Sequence, residues 1–98
     1  MVFARVSTVE ETTDSIEESI RRTPDVLKRA EALSGFEGVY YLVDRSSGKT
    51  LTITLWETEE AMRNSEEAAN RIRTDEAAAS GGKIVSVDHF EVAAAELR

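Results

Sequence analysis

Few residues in this chain can do chemistry. His89 is the only histidine, and so the only side chain whose ordinary proton affinity suits acid–base work near neutral pH. Trp56, the only tryptophan, can stack on a planar ligand. Tyr40 and Tyr41 are adjacent within a strand-like run, so they point to opposite faces of a sheet and at most one serves a given pocket. Arg5 stands inside an otherwise apolar strand pattern and needs an anion, either Glu57 or Asp88 on a neighbouring strand or the carboxylate of a ligand. Asn64 adds an amide on the second helix. Arg5, Tyr40, Tyr41, Trp56, Asn64 and His89 are therefore the candidate ligand-binding residues. Each also has an ordinary structural reading: His89 as a rim or interface histidine, Trp56 as a core anchor, Arg5 as half of an internal salt bridge.

Much chemistry is excluded outright. The absence of cysteine removes disulfides, thiolate nucleophiles and Cys-ligated metal or iron–sulfur centres. The acids Glu17, Glu18, Glu59, Glu60, Glu66 and Glu67 come in adjacent pairs that diverge by about 100° on a helix, which reads as solvated helix faces and not as a metal-ligand spacing. No metal and no cofactor is expected. A net charge of −7 repels phosphate polymers and anionic membranes, so neither nucleic acid nor membrane is an expected partner. The basic clusters Arg21-Arg22, Lys28-Arg29 and Arg71 with Arg73 are interleaved with acids and read as solvated helix surface. Neither a signal-peptide pattern nor a stretch approaching about 20 apolar residues occurs, and cytoplasmic residence is the expectation.

The elements that must position these side chains follow from periodicity. Residues 1–98 make one domain with one core. Val2, Ala4 and Val6 alternate with Phe3, Arg5 and Ser7 as a first strand. From about Thr13, Ile16, Ile20, Leu27, Ala30 and Leu33 mark an amphipathic helix, which Thr23-Pro24 is expected to break and restart, with Thr23 as a second N-cap. Ser34-Gly35 ends it. The second strand, from about Phe36 to Asp44, is so continuously β-prone that both of its faces are expected to be covered. Ser46-Ser47-Gly48 turns the chain into a third strand, Lys49 to Glu57, whose Leu51, Ile53 and Leu55 form an oily face opposite Thr50, Thr52, Thr54 and Trp56. Thr58 caps a second helix, carrying Ala61, Met62, Ser65, Ala69 and Ile72 as a modest apolar stripe. It is expected to fray through Ala77 to Gly82. Lys83 to Val92 is the fourth strand, with Ile84, Ser86, Asp88 and Phe90 alternating against Val85, Val87 and His89.

The order β-α-β-β-α-β is that of an α+β, ferredoxin-like domain: a four-stranded antiparallel sheet with two helices on one face. Two stretches carry a closer likeness. Ser34-Gly35-Phe36-Glu37-Gly38-Val39 resembles the "PGF-x-G" approach to the second strand in the antibiotic biosynthesis monooxygenase superfamily, and Thr54-Leu55-Trp56-Glu57-Thr58-Glu59-Glu60-Ala61-Met62 resembles its "W-x-S-x-E-A-hydrophobic" passage into the second helix. The resemblance implies a dimeric α+β barrel, and either a cofactor-independent oxygenase of a small aromatic metabolite or a non-catalytic binding or accessory protein on the same scaffold. It does not extend to the heme-degrading branch, which uses an asparagine on the first strand, a tryptophan in the second helix and a histidine beyond it. Here the only asparagines are Asn64 and Asn70, the tryptophan's position falls on Ser65, and the iron ligand's falls near Asp75, where there is no histidine.

A sheet with helices on one face leaves the other bare, and strands two and three are apolar or aromatic on both faces. The sequence therefore predicts a two-fold homodimer that packs sheet against sheet.

Overall fold

A computed structural model describes residues 2–97 of the chain. Strand β1 (Phe3–Glu10) is central, pairing antiparallel with β3 (Lys49–Trp56) on one side and β4 (Lys83–Glu91) on the other; β2 (Phe36–Val43) pairs with β3 at the edge. The sheet order β2-β3-β1-β4 with all neighbours antiparallel is the ferredoxin-like arrangement expected from the element order.

Helix α1 (Thr13–Glu31) starts where Thr12 Oγ1 accepts the Ser15 N–H at 3.2 Å, and it buries Ile16 completely. The expected break at Thr23-Pro24 does not occur. Pro24 lies within one continuous helix, and Thr23, instead of capping a new one, turns its hydroxyl back to the Ser19 carbonyl at 3.1 Å. The expected second helix is divided instead, into α2 (Glu59–Asn64) and α3 (Glu66–Ser80). At the junction Ser65 Oγ donates to the Met62 carbonyl at 2.7 Å, a local bond that competes with regular helix. Nor does α3 fray over its alanines: it continues to Ser80 and stops on Gly81, whose φ of 73° is the left-handed C-cap conformation that favours glycine.

The alternation of β4 is also corrected. A bulge sets Val9 opposite Ile84 and Thr8 opposite Ser86, so Val85 is the extra residue and Ile84 moves to the face of Val87 and His89.

The register separates the two faces of the sheet. Arg5, Ser7 and Val9 of β1 share a cavity with Thr50, Thr52, Thr54 and Trp56 of β3 and with residues of α1 and α3, so this is the helix-covered face. Ala4 and Val6 therefore look away, with Leu51, Ile53 and Leu55 of β3 and Tyr40 and Leu42 of β2. The oily face is the open one. Tyr40 is 45%, Leu42 46% and Phe90 53% exposed, so the second strand is not covered on both sides in a single chain.

The apolar core is correspondingly thin, with Ala4, Ile16, Trp56 and Met62 its buried members among the described residues. A radius of gyration of 13.1 Å matches the roughly 13 Å of a folded 100-residue domain, so chain expansion does not account for it. Space has been left between sheet and helices.

Candidate functional site

That space is a cavity of about 150 Å³, floored by the threonine face of β3. Val26, Leu27 and Ala30 of α1, Leu33 just past its end, and Ala69 and Ile72 of α3 line it from above. The two helices are tied together by the ion pairs Arg22–Glu76 and Arg29–Asp75, the second at 3.0 Å.

One end is built around Arg5, only 2% exposed. Its Nη2 donates to the Met62 carbonyl at 2.7 Å, to Ser65 Oγ at 3.0 Å and to Glu66 Oε2 at 2.7 Å, while Nε reaches the same carboxylate oxygen at 3.2 Å. The guanidinium lies 5.2 Å from the Trp56 ring centroid, within cation–π range. Trp56 is held in turn by its Nε1–H, which donates to Thr54 Oγ1 at 3.0 Å, and by a T-shaped contact with Phe36, centroid to centroid 5.6 Å. Arg5 thus makes an internal salt bridge as expected, but its partner is Glu66 on α3 and not Glu57 or Asp88. Glu66, expected on a solvated helix face, is only partly solvated and turns its carboxylate to Arg5. Burial raises its carboxyl, yet the hydrogen bond and charge of Arg5, then those of His89, outweigh burial and hold it below the usual carboxylate range.

The opposite end is built around Glu11, just past β1. Its backbone N–H donates to the Gly48 carbonyl at 2.8 Å, in the β2–β3 turn. Gly48 has φ +81°, and a Cβ there would meet the Glu11 carbonyl oxygen at 2.0 Å, so only glycine allows this approach. The Glu11 carboxylate accepts hydrogen bonds from Ser19 Oγ at 2.7 Å and from the Tyr41 hydroxyl at 2.9 Å. Burial, followed by the Glu11 carboxylate, pushes the Tyr41 phenol up to about 12. It remains a protonated donor at neutral pH.

The six candidates therefore divide evenly. Arg5, Tyr41 and Trp56 line the cavity. Tyr40 lies on the open face of the sheet. His89 stands opposite Arg5 in register, but its Nε2 turns to Glu66 Oε2 at 3.1 Å and it does not line the cavity. Asn64 lines a separate pocket with Leu33, Gly35 and Glu57. Three residues of the site escape a reading of the sequence: Glu11 and Arg73, which line the cavity, and Glu66, which does not line it but holds Arg5. Their only signal is a charge in a helical or helix-flanking segment, and that signal is shared with many exposed residues.

No family model matches the chain. It is 37% identical over 95 residues to the uncharacterised protein Rv2557 of Mycobacterium tuberculosis, covering 96% of this chain and 42% of that protein. A second uncharacterised protein of that organism, Rv2558, is 37% identical over 94 residues, covering 95% of this chain and 39% of the relative. The chain thus spans about two fifths of the length of these relatives. Among solved structures, it superposes on the ActVA-Orf6 monooxygenase of Streptomyces coelicolor in complex with nanaomycin D with a TM-score of 0.70 at 16% identity, over 99% of this chain and 91% of the other. MupZ from Pseudomonas fluorescens gives 0.71 at 8% identity, over 90% of this chain and 69% of the other. The heme-degrading protein Rv3592 of Mycobacterium tuberculosis gives 0.66 at 22% identity, over 98% and 99%. At these identities the likeness is one of fold.

Proposed function

The chain has the fold of the antibiotic biosynthesis monooxygenase superfamily, and on that premise we propose that its cavity binds a small aromatic metabolite and hosts its oxygenation without a cofactor. The observation that carries the reading is convergence: Trp56, Tyr41 and Arg5 meet apolar side chains of both helices around one space. The volume sets the scale of the ligand. Pockets for drug-sized molecules run to about 300–1,000 Å³, whereas a dry cavity of about 150 Å³ holds a single benzene ring. A one-ring or compact two-ring substrate fits this range.

The chemistry needs little from the protein. A phenolic substrate with an activated CH₂ loses a proton, the resulting carbanion combines with dioxygen to a hydroperoxide, and loss of water leaves a carbonyl. One oxygen atom enters the product and one leaves as water, so no external reductant is required. In this reading the Trp56 ring walls the space that holds the substrate, and the Glu11 carboxylate, oriented by the Tyr41 and Ser19 hydroxyls, receives the proton. The test is oxygen consumption with a panel of one- to three-ring phenols bearing an activated CH₂. Uptake matched by carbonyl product supports the reading, and uptake no faster than the uncatalysed background across the panel overturns it.

A second reading is binding without turnover. It is favoured by the position of His89 outside the cavity and by the upward shift of Tyr41 away from neutrality. Ligand recovered unchanged from a saturable complex would select it.

The assembly proposed for either reading is a two-fold homodimer closed through the open face of the sheet. The exposure of Tyr40, Leu42 and Phe90 beside Ile53 and Leu55 supports it. Burying such a face is favourable at about 25 cal/mol per Å² before association costs.

A further inference from the structure

We propose that the cavity takes its aromatic ligand as an anion, a carboxylate or an ionised phenol, seated against Arg73. The inference rests on the ligand cavity proposed above and adds the charge of what enters it.

The observation is an imbalance among the arginines. Eight lie within the described residues, and seven of them have a carboxylate within ion-pair distance: Arg5, Arg21, Arg22, Arg29, Arg45, Arg63 and Arg71. Arg73 is the eighth. Among the described residues its one hydrogen bond runs from Nη2 to the neutral Asn70 Oδ1 at 3.1 Å, which leaves most of its five donors without an acceptor among them. Yet it is half-buried and lines the cavity beside Ile72 and Ala69. An arginine on open surface would find water, whereas one facing an apolar space is compensated best by an anion inside that space.

The neighbouring charges strengthen the assignment. Arg5 is neutralised by Glu66, so the local sum at this end of the cavity is that of Arg73 alone. Burial, then repulsion from Arg5, pushes the Arg73 guanidinium below its usual range, opposed by the pull of Glu66. It stays charged at neutral pH but carries an unmet electrostatic demand, which a bound anion meets. Glu76, the carboxylate one turn further on, is already engaged by Arg22. The remaining cavity carboxylate, Glu11, lies six residues along from Arg5, about 20 Å on an extended strand, and is occupied by Ser19 and Tyr41. A ligand that seats its anionic group at Arg73 therefore points its uncharged end toward Glu11 and the apolar side chains. Arg73's planar, forked donors suit a carboxylate better than a halide or a lone hydroxyl.

The test compares acids with their neutral amides of the same shape. Benzoate, benzamide, 1-naphthoate and 1-naphthamide are titrated into the intact protein by calorimetry, with the emission of Trp56 as a second readout. The expected result is acid binding at least tenfold tighter than amide binding in the unmutated protein. Arg73→Gln should erase that difference, and Arg73→Lys should retain part of it. Equal affinity for acid and amide, or an acid preference that survives Arg73→Gln, overturns the inference while leaving the cavity proposal standing. Failure of all four probes to bind overturns both. Salt provides a readout independent of any variant's folding: added sodium chloride should weaken the acids and leave the amides unchanged, and indifference of the acids to salt counts against the inference.

Discussion

Replacing Glu66 by glutamine keeps the shape of the group that receives Arg5 and removes its charge. Arg5 is 2% exposed, so its guanidinium would be left with neutral acceptors only: the Met62 carbonyl, Ser65 Oγ and the new amide oxygen. Removing one partner of a buried ion pair costs about 3–5 kcal/mol. Here the Glu66 side chain is 43% exposed, so solvent screens part of the pair, and the neutral hydrogen bonds survive. The expected loss is about 2 kcal/mol at neutral pH, the scale of a hydrogen bond to a charged group. For a domain of this size that lowers the melting temperature by about 8–16 °C, compared at one protein concentration. Urea unfolding followed by Trp56 fluorescence measures it, because that ring lies against the Arg5 guanidinium. The dependence on pH supplies a second check. The Glu66 carboxyl is held down in the folded state, so folding is favoured above its unfolded value of about 4.3 and the contribution is lost as pH falls through the lower folded value. The gap between the two proteins should therefore close in acid. The double substitution Arg5→Met with Glu66→Met should recover much of the loss, since no charge is then left buried. A variant within about 0.5 kcal/mol of the unmutated protein at neutral pH, or a gap independent of pH, refutes the reasoning.

Three further outcomes follow from the same geometry. Ile53→Lys on the open face should convert a dimer of about twice the 10.8 kDa chain mass to monomers in light scattering; an unmutated protein of 10.8 kDa at micromolar concentration would remove the assembly proposal. Gly48→Ala should cost about 2 kcal/mol or more in thermal unfolding, because a Cβ at φ +81° would meet the Glu11 carbonyl oxygen at 2.0 Å; a neutral substitution would contradict that turn geometry. Tyr41 should ionise only near pH 12 in ultraviolet absorption, and Tyr41→Phe should delete that late step. The stabilisation from its bond to Glu11 is full below the unfolded value of about 10 and lost as pH rises through about 12, so a Tyr41 that ionises at its ordinary value would show that the bond is absent.

The candidate site was half legible in the sequence. Arg5 and Trp56 announce themselves because an arginine in an apolar strand and a lone tryptophan are conspicuous, and the alternation of strands allows only one of Tyr40 and Tyr41 into the cavity. Nothing local distinguishes Glu11, Glu66 and Arg73 from the many charges on helical surfaces. Glu66 acts through a partner 61 residues away, Arg5, and Glu11 through one 30 residues away, Tyr41. His89 was misleading for the same reason: its strand position is readable, but its turn toward Glu66 is not.

The order of strands and helices, the cap at Thr58, the turn at Gly48 and the two-faced pattern of β3 are properties of the sequence, because backbone propensity and side-chain periodicity act over a few residues. Which face of β3 the helices cover was decided only by tertiary structure. The intuitive choice is the oily face of Leu51, Ile53 and Leu55, yet α1 and α3 lie over the threonines, with Arg5, Trp56 and Tyr41, and leave the aliphatic face open. The continuity of α1 through Pro24 and the break at Ser65 were decided at the same level. In the first, a long amphipathic face outweighs the loss of one backbone bond. In the second, a buried guanidinium reaches across the fold to Ser65 Oγ and the Met62 carbonyl at the end of α2.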